Sequence, residues 1–198
     1  MKKIIFVLIS LLFIIGCTPK VLTEQQINDA IEDGTIGLNP LENEINSPTC
    51  EEKQQPYCNY SEQITIRTPY YSIAQGAAWY SQFRTRKMKE YLQERIQSAS
   101  LDFLDIEGYI EGSSSEELSN TKAIIKYEDK QLNSTGTIDK STHDCIDPVT
   151  HNDVPNCKSS EGFFRFEHLS SFKDKKIKFI LIRERGEKEY DIDMSKYK

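Results

Sequence analysis

Ile177-Lys178-Phe179-Ile180-Leu181-Ile182-Arg183-Glu184-Arg185-Gly186-Glu187-Lys188-Glu189-Tyr190-Asp191-Ile192-Asp193-Met194 is the stretch that decides the fold class. Residues 177–182 are rich in Ile, Phe and Leu and form the strongest strand candidate in the chain. Glu184-Arg185-Gly186-Glu187 offers a turn, after which Tyr190, Ile192 and Met194 alternate with polar residues. A strand, a short glycine-containing link and a second alternating strand predict an antiparallel hairpin.

The same period of two recurs towards the N-terminus. Phe164 and Phe166 begin a strand, and Ala123, Ile125 and Tyr127 form another. Leu132 to Ile138 is a weaker hairpin partner. Leu104, Ile106 and Ile110 alternate with Asp105, Glu107 and Glu111, and Ile64-Thr65-Ile66-Arg67 is a further strand. The Ser113–Glu117 run reads as a loop. Helical periodicity appears in two places. Thr23-Glu24-Gln25-Gln26 has a Thr N-cap with Gln three residues on, followed by Ile27, Ala30 and Ile31 on one face, with Gly34 as a stop. Thr68-Pro69 opens a second helix, and one apolar stripe through Met88, Tyr91, Leu92 and Ile96 predicts that it runs to about Ala99, with Gly76 bending it or letting a neighbour approach. Successive strands joined by short links and one long helix predict an α+β fold: an antiparallel sheet packed on that helix, with disulfide-pinned loops.

The 198 residues carry a formal net charge of −6. So acidic a chain is a poor nucleic-acid binder. Ten Tyr and nine Phe supply enough apolar surface for a core.

The first residues give an address. Met1-Lys2-Lys3 is a short cationic region, and residues 4–15 are apolar except for Ser10. That run is shorter than the roughly 20 residues a spanning helix needs. It ends Ile14-Ile15-Gly16-Cys17, which resembles the lipobox of bacterial lipoproteins. The resemblance covers residues 1–17 and implies cleavage after Gly16, a diacylglyceryl group on the Cys17 sulfur and, in many bacteria, a further palmitate-like chain on the new amino group. One fatty chain holds a protein only marginally, whereas two or three hold it durably. Thr18 in place of Asp resembles lipoproteins sorted to the outer membrane, facing the periplasm; in a Gram-positive cell the same signal would leave the protein on the outer face of the single membrane. Removing residues 1–16 takes away two lysines and no acid, so the mature charge becomes −8. The expected organisation is a signal peptide at 1–16, a lipidated tether with a short helix and an irregular pinned segment at 17–62, and one α+β domain at 63–198.

Four cysteines then remain, an even number in an oxidising compartment. Each of the pairs Cys50–Cys58 and Cys145–Cys157 brackets its own polar, proline-containing stretch, which favours those two bridges. Cross-connected pairs such as Cys50 with Cys157 stay open.

Chemistry is sparse by contrast. His143, Asp144, Cys145, Asp147, His151, Asp153 and Cys157 sit in one polar excursion, Asp139 to Ser160. Zinc would accept His143, His151 and two thiolates, yet no Cys-x-x-Cys or His-x-x-x-His pair seeds a tetrahedral site, and a disulfide would consume both sulfurs. No metal site and no cofactor is therefore expected. The basic run Arg84 to Lys89 suits either anionic headgroups or the solvated face of an amphipathic helix. Tyr70, Tyr71, Trp79, Tyr80 and Phe83 are more often core than groove at such spacing. His168 has no obvious partner. No nucleophile elbow, dinucleotide fingerprint or P-loop is present. The reading is a non-enzymatic, membrane-anchored envelope lipoprotein acting through protein–protein contacts, with Asp144, Asp147 and Asp153 as the interaction residues. One alternative is an inhibitor or immunity-like lipoprotein that inserts the 139–160 loop into a hydrolase. The other is an enzyme or metal-binding protein centred on His143 and His151.

Overall fold

A computed structural model of the chain describes residues 21–37, 62–99, 101–139, 141–146 and 151–197, and the backbone of 44–46. The chain is mixed helix and sheet with antiparallel pairing throughout, as the alternation predicts. The architecture differs from expectation in two main respects. The strands form two sheets, and the long helix is two helices.

The first sheet runs in the order β1 (Glu44–Asn46), β2 (Gln63–Arg67), β3 (Phe103–Gly112), β8 (Asp153–Glu167), β6 (Thr135–Ile138), with β7 (His143–Ile146) also paired to β8. The second runs β10 (Gly186–Asp193), β9 (Lys176–Arg183), β4 (Lys122–Tyr127), β5 (Lys130–Asn133). The decisive hairpin holds: β9 and β10 pair from Arg183 opposite Gly186 to Lys176 opposite Asp193, and Gly186 adopts a φ of 121° that favours glycine. The weak 132–138 segment is divided. Residues 130–133 pair with β4, residues 135–138 pair with β8, and Ser134 alone carries the chain from one sheet to the other.

One core joins the sheets. Ile64, Ile66, Leu104, Ile106, Ile110, Phe164 and Phe166 from the first meet Ala123, Ile125, Tyr127, Ile177, Phe179, Leu181, Tyr190 and Ile192 from the second. Phe179 is its centre, with ring centroids 5.8 Å from Phe164, 6.1 Å from Phe166 and 5.8 Å from Tyr190. A sheet needs something apolar across from it, and here the partner is another sheet rather than the helix.

The helices form a smaller core of their own. α1 (Glu24–Ile36) opens with the expected capping box: Gln26 N–H donates to Thr23 Oγ1 at 3.2 Å and Thr23 N–H to Gln26 Oε1 at 2.9 Å. It does not stop at Gly34 but at Gly37, whose φ is 101°. Gly34 lies inside the helix because α2 (Pro69–Phe83) crosses it there. A Cβ on Gly34 would stand 2.0 Å from the Ala74 carbonyl oxygen. Leu22, Ala30, Tyr70, Ile73, Ala74 and Ala99 fill the contact, and Tyr70 donates to Asp33 at 2.6 Å.

The predicted long helix breaks at Arg84, in the left-handed region with φ 49°. Thr85 is extended and caps α3 (Arg86–Ser98) through Met88 N–H at 3.2 Å. The apolar stripe continues across the break, and no Gly or Pro marks it. Threonine's side chain competed with the helix and won. Gly76 permits close packing of α2 on α3, against Leu92, and does not bend the chain. The Ser113–Glu117 loop is a helix, α4 (Ser115–Asn120), capped by Ser114.

Within the Asp139–Ser160 excursion, residues 143–146 and 153–160 are paired strands rather than loop. β6 and β7 lie end to end along β8, and the Cys145–Cys157 disulfide ties β7 to β8. Cys17, Cys50, Cys58 and Asp147 lie outside the described residues.

An exposed helical glycine replaced by alanine gains up to about 1 kcal/mol from propensity. Gly34→Ala is expected to do the opposite and cost about 1–3 kcal/mol, because the new methyl overpacks against α2. Urea unfolding of the two proteins measures the sign, and stabilisation would show that α1 does not pack on α2 at this point.

Candidate functional site

Residues of odd number in β2, β3, β6 and β8 point away from the main core, and they form ordered rows across the sheet. Arg67, Asp105, Arg165 and Thr135 stand opposite one another in register, and so do Thr65, Glu107, Phe163 and Thr137. Arg67 from the first row, all four residues of the second, and Gln63, Tyr109, Asp139 and Glu161 on neighbouring rows line a groove of about 620 Å³. Gly108 sits on its floor opposite Gly162. A Cβ at Gly108 would come within 1.9 Å of the Gln63 carbonyl oxygen, so glycine lets β2 run this close to β3.

The charges in the groove are held in place. Arg67 pairs with Glu107 at 2.8 Å and donates to Gln75 of α2 at 3.2 Å, while its buried Nε has no acceptor. Burial pushes the Glu107 carboxyl above its ordinary value; Arg67 opposes this, and nearby Asp105 and Glu161 add to it. Tyr109 donates to Glu161 at 3.3 Å. At the groove's end Arg165 forks onto buried Asp105 with two bonds of 2.8 Å and stacks 4.0 Å over the Phe103 ring. The groove is thus lined by three carboxylates, Glu107 paired with Arg67, Glu161 accepting from Tyr109 and Asp139 accepting from the Ser141 N–H, and by the ring surfaces of Tyr109 and Phe163. This set suits a ligand carrying positive charge and flat apolar surface, such as a basic peptide segment.

A second polar cluster closes one end of the sandwich. Buried Glu62 accepts from Arg183, from Lys188 at 2.9 Å and from Tyr190 at 2.8 Å. Buried Glu117 accepts from the Ser113 backbone and hydroxyl at 2.6 Å each and from Arg185 at 3.0 Å. Burial raises the Glu117 carboxyl, but the Ser113 and Arg185 contacts outweigh it and hold it down at about 2. Glu111 is the exception. One of its carboxylate oxygens is buried without a partner, and burial, reinforced by repulsion from Glu62, pushes it up to about 7 against the attraction of Lys188, Arg183 and Arg185.

The residues singled out from sequence fall as follows. Cys145 and Cys157 are bonded to each other. Their sulfurs lie within 4.8 Å of a Glu111 oxygen, but a disulfide offers no thiolate to a metal. His143 and His151 are both exposed, and His151 occupies the left-handed region at φ 56°. Asp144 is paired with Lys158 at 2.6 Å, so part of its charge is already neutralised within the hairpin. Asp153 is exposed opposite Ile146. Tyr70 and Tyr71 are buried, whereas Trp79 and Phe83 are exposed. His168 adopts φ 65° where the chain leaves β8.

Alternation in the sequence did place Asp105, Glu107 and Glu111 off the core. It gave no sign that Arg67, Tyr109, Glu161 and Phe163 would join Glu107, since only the register between distant strands brings them together. No protein-family model matches the chain, and neither does any curated protein or solved structure.

Glu111 sets a pH dependence. Its folded value lies above the ordinary 4.5, so the stability it contributes is present below 4.5 and is lost as pH rises through about 7. Glu111→Gln removes this loss. The difference in Tm, variant minus wild type, is expected to grow with pH across that window. A difference that stays flat, or shrinks, would show that Glu111 ionises freely.

Proposed function

We propose that the protein is a non-enzymatic, lipid-anchored bacterial envelope lipoprotein that binds a partner protein, and that the groove on the outer face of the first sheet receives a basic segment of that partner. The single observation behind this reading is the convergence of Glu107, Asp139, Glu161, Tyr109 and Phe163 in one concavity. Residues committed only to stability would not need to stand in a hollow on the face turned away from the core. The mature chain's acidity favours encounter with a cationic partner. The lipobox-like Ile14-Ile15-Gly16-Cys17 supplies the anchor, and Thr18 supports the outer membrane, facing the periplasm, as its location.

The groove takes over the role that the sequence gave to Asp144, Asp147 and Asp153. A second reading keeps the hairpin as the contact surface, as in an inhibitor or immunity-like lipoprotein. It is favoured by Ile146, a large apolar side chain left 56% exposed on a strand braced by a disulfide.

Two measurements test these readings. A photo-crosslinking residue at Thr65 in the intact cell envelope is expected to capture one discrete protein. Glu107→Gln, Asp139→Asn and Glu161→Gln together are expected to abolish that species while one at Ile146 captures nothing; the reverse result transfers the contact to the hairpin. Labelling with an alkyne fatty acid should mark the wild type and leave Cys17→Ser unmarked and unprocessed. Equal labelling of both would overturn the anchor.

A further inference from the structure

The C-terminal end of α2 and the start of α3 carry a surface that the groove does not use. Residues 82–87 are exposed without interruption. Trp79 and Phe83, one helical turn apart, are 37% and 58% exposed. Tyr91 of α3 packs beside Trp79 with ring centroids 5.3 Å apart, and the Arg95 guanidinium stacks 4.6 Å over the Tyr91 ring. Between these aromatics runs Arg84-Thr85-Arg86-Lys87-Met88-Lys89. From 84 to 95 there are five cations against two acids, in a chain whose net charge is negative. Among the described residues, Arg86 with Glu90 is the only ion pair formed by the 84–89 run. α3 buries none of its residues, and among the described residues nothing covers this face.

We infer that this face lies on an anionic lipid surface, with Trp79 and Phe83 entering the headgroup region and Arg84, Arg86, Lys87 and Lys89 meeting lipid phosphates. Aromatic rings with an apolar body settle at that depth, and basic side chains beside them gain from anionic headgroups. A lipid on Cys17 would keep the same domain at the bilayer. Leu22 follows Cys17 by five residue steps and is packed in the helical core beside Thr68 and Pro69, at the start of α2. At about 3.3 Å per residue these steps span at most roughly 17 Å, shorter than the length of α2 itself at 1.5 Å per residue. A lipid on Cys17 therefore keeps the domain within reach of the bilayer without by itself selecting this face. The inference rests on the anchor reading for this tethering alone; the composition of the face is independent of it.

Trp79 is the sole tryptophan of the chain, so its fluorescence reports on this face and nothing else. The mature protein, purified from membranes with whatever lipid it carries, is reconstituted into vesicles of phosphatidylglycerol and phosphatidylethanolamine, or of phosphatidylcholine, each doped with a brominated lipid. Flotation at high salt reads the anchor separately, and a chain that fails to float is added to the same vesicles from solution. Trp79 is expected to shift to the blue and to be quenched on the anionic vesicles, with quenching falling as salt rises. The combined reversal Arg86→Glu, Lys87→Glu and Lys89→Glu is expected to reduce quenching to the phosphatidylcholine level while near-UV circular dichroism stays unchanged. Quenching that is absent on both lipids, or equal on both and insensitive to the reversal, overturns the inference even if the protein floats.

Discussion

Glu62 is the constraint on which the sandwich depends. It stands just before β2 at 2% exposure, and its carboxylate meets Arg183 and Lys188 and accepts from Tyr190, all from the β9–β10 hairpin of the other sheet. Burying an acid with its counterions is costly in itself, so such a cluster does not explain why the chain folds. Apolar contact around Phe179 does that. What the cluster fixes is which way the sheets meet. A slip of one residue in β10 would turn Lys188 and Tyr190 to the opposite face and leave Glu62 without partners in the interior. Crowding follows from the same arrangement. With Glu62 taking up Arg183 and Lys188, Glu111 nearby is left with a buried oxygen and no donor, and burial, reinforced by repulsion from Glu62, pushes its carboxyl up to about 7.

The division of surfaces follows from this closure. Because each sheet covers the other, the helices are not needed to close the main core, and the first sheet's outer rows form the groove, where Gln75 of α2 meets Arg67. The helices, relieved of that task, pack on one another around Ala30, Ile73 and Ala74 and leave the basic, aromatic edge of α2 and α3 uncovered.

Local signals in the sequence were legible wherever one residue's chemistry decided the outcome. The Thr23 capping box, the Thr68-Pro69 helix start, the Gly186 turn and the Cys145–Cys157 bridge all stand as their residues suggest. The failures arose where two local readings were compatible and a distant contact chose between them. The apolar stripe from α2 into α3 is continuous, yet Thr85 caps a new helix. Gly34 resembles a stop, yet it serves a crossing with Ala74 that lies forty residues away. Residues 132–138 read as one weak strand because nothing at Ser134 signals a change of sheet. The groove was hidden for the same reason: its residues come from four strands, and only their register assembles them. Glu62 left no signal at all, being one acid among many in a polar stretch.

Replacing the Glu62 cluster piece by piece tests its role most directly. Equilibrium urea unfolding of Glu62→Leu is compared with that of Glu62→Leu/Arg183→Met/Lys188→Met. Removing the acid alone strands two cations in the interior and is expected to cost about 3–5 kcal/mol, whereas removing all three charges recovers most of that loss. A single variant within about 0.5 kcal/mol of the wild type, as for an ordinary surface substitution, would show that Glu62 does not hold the sheets in register.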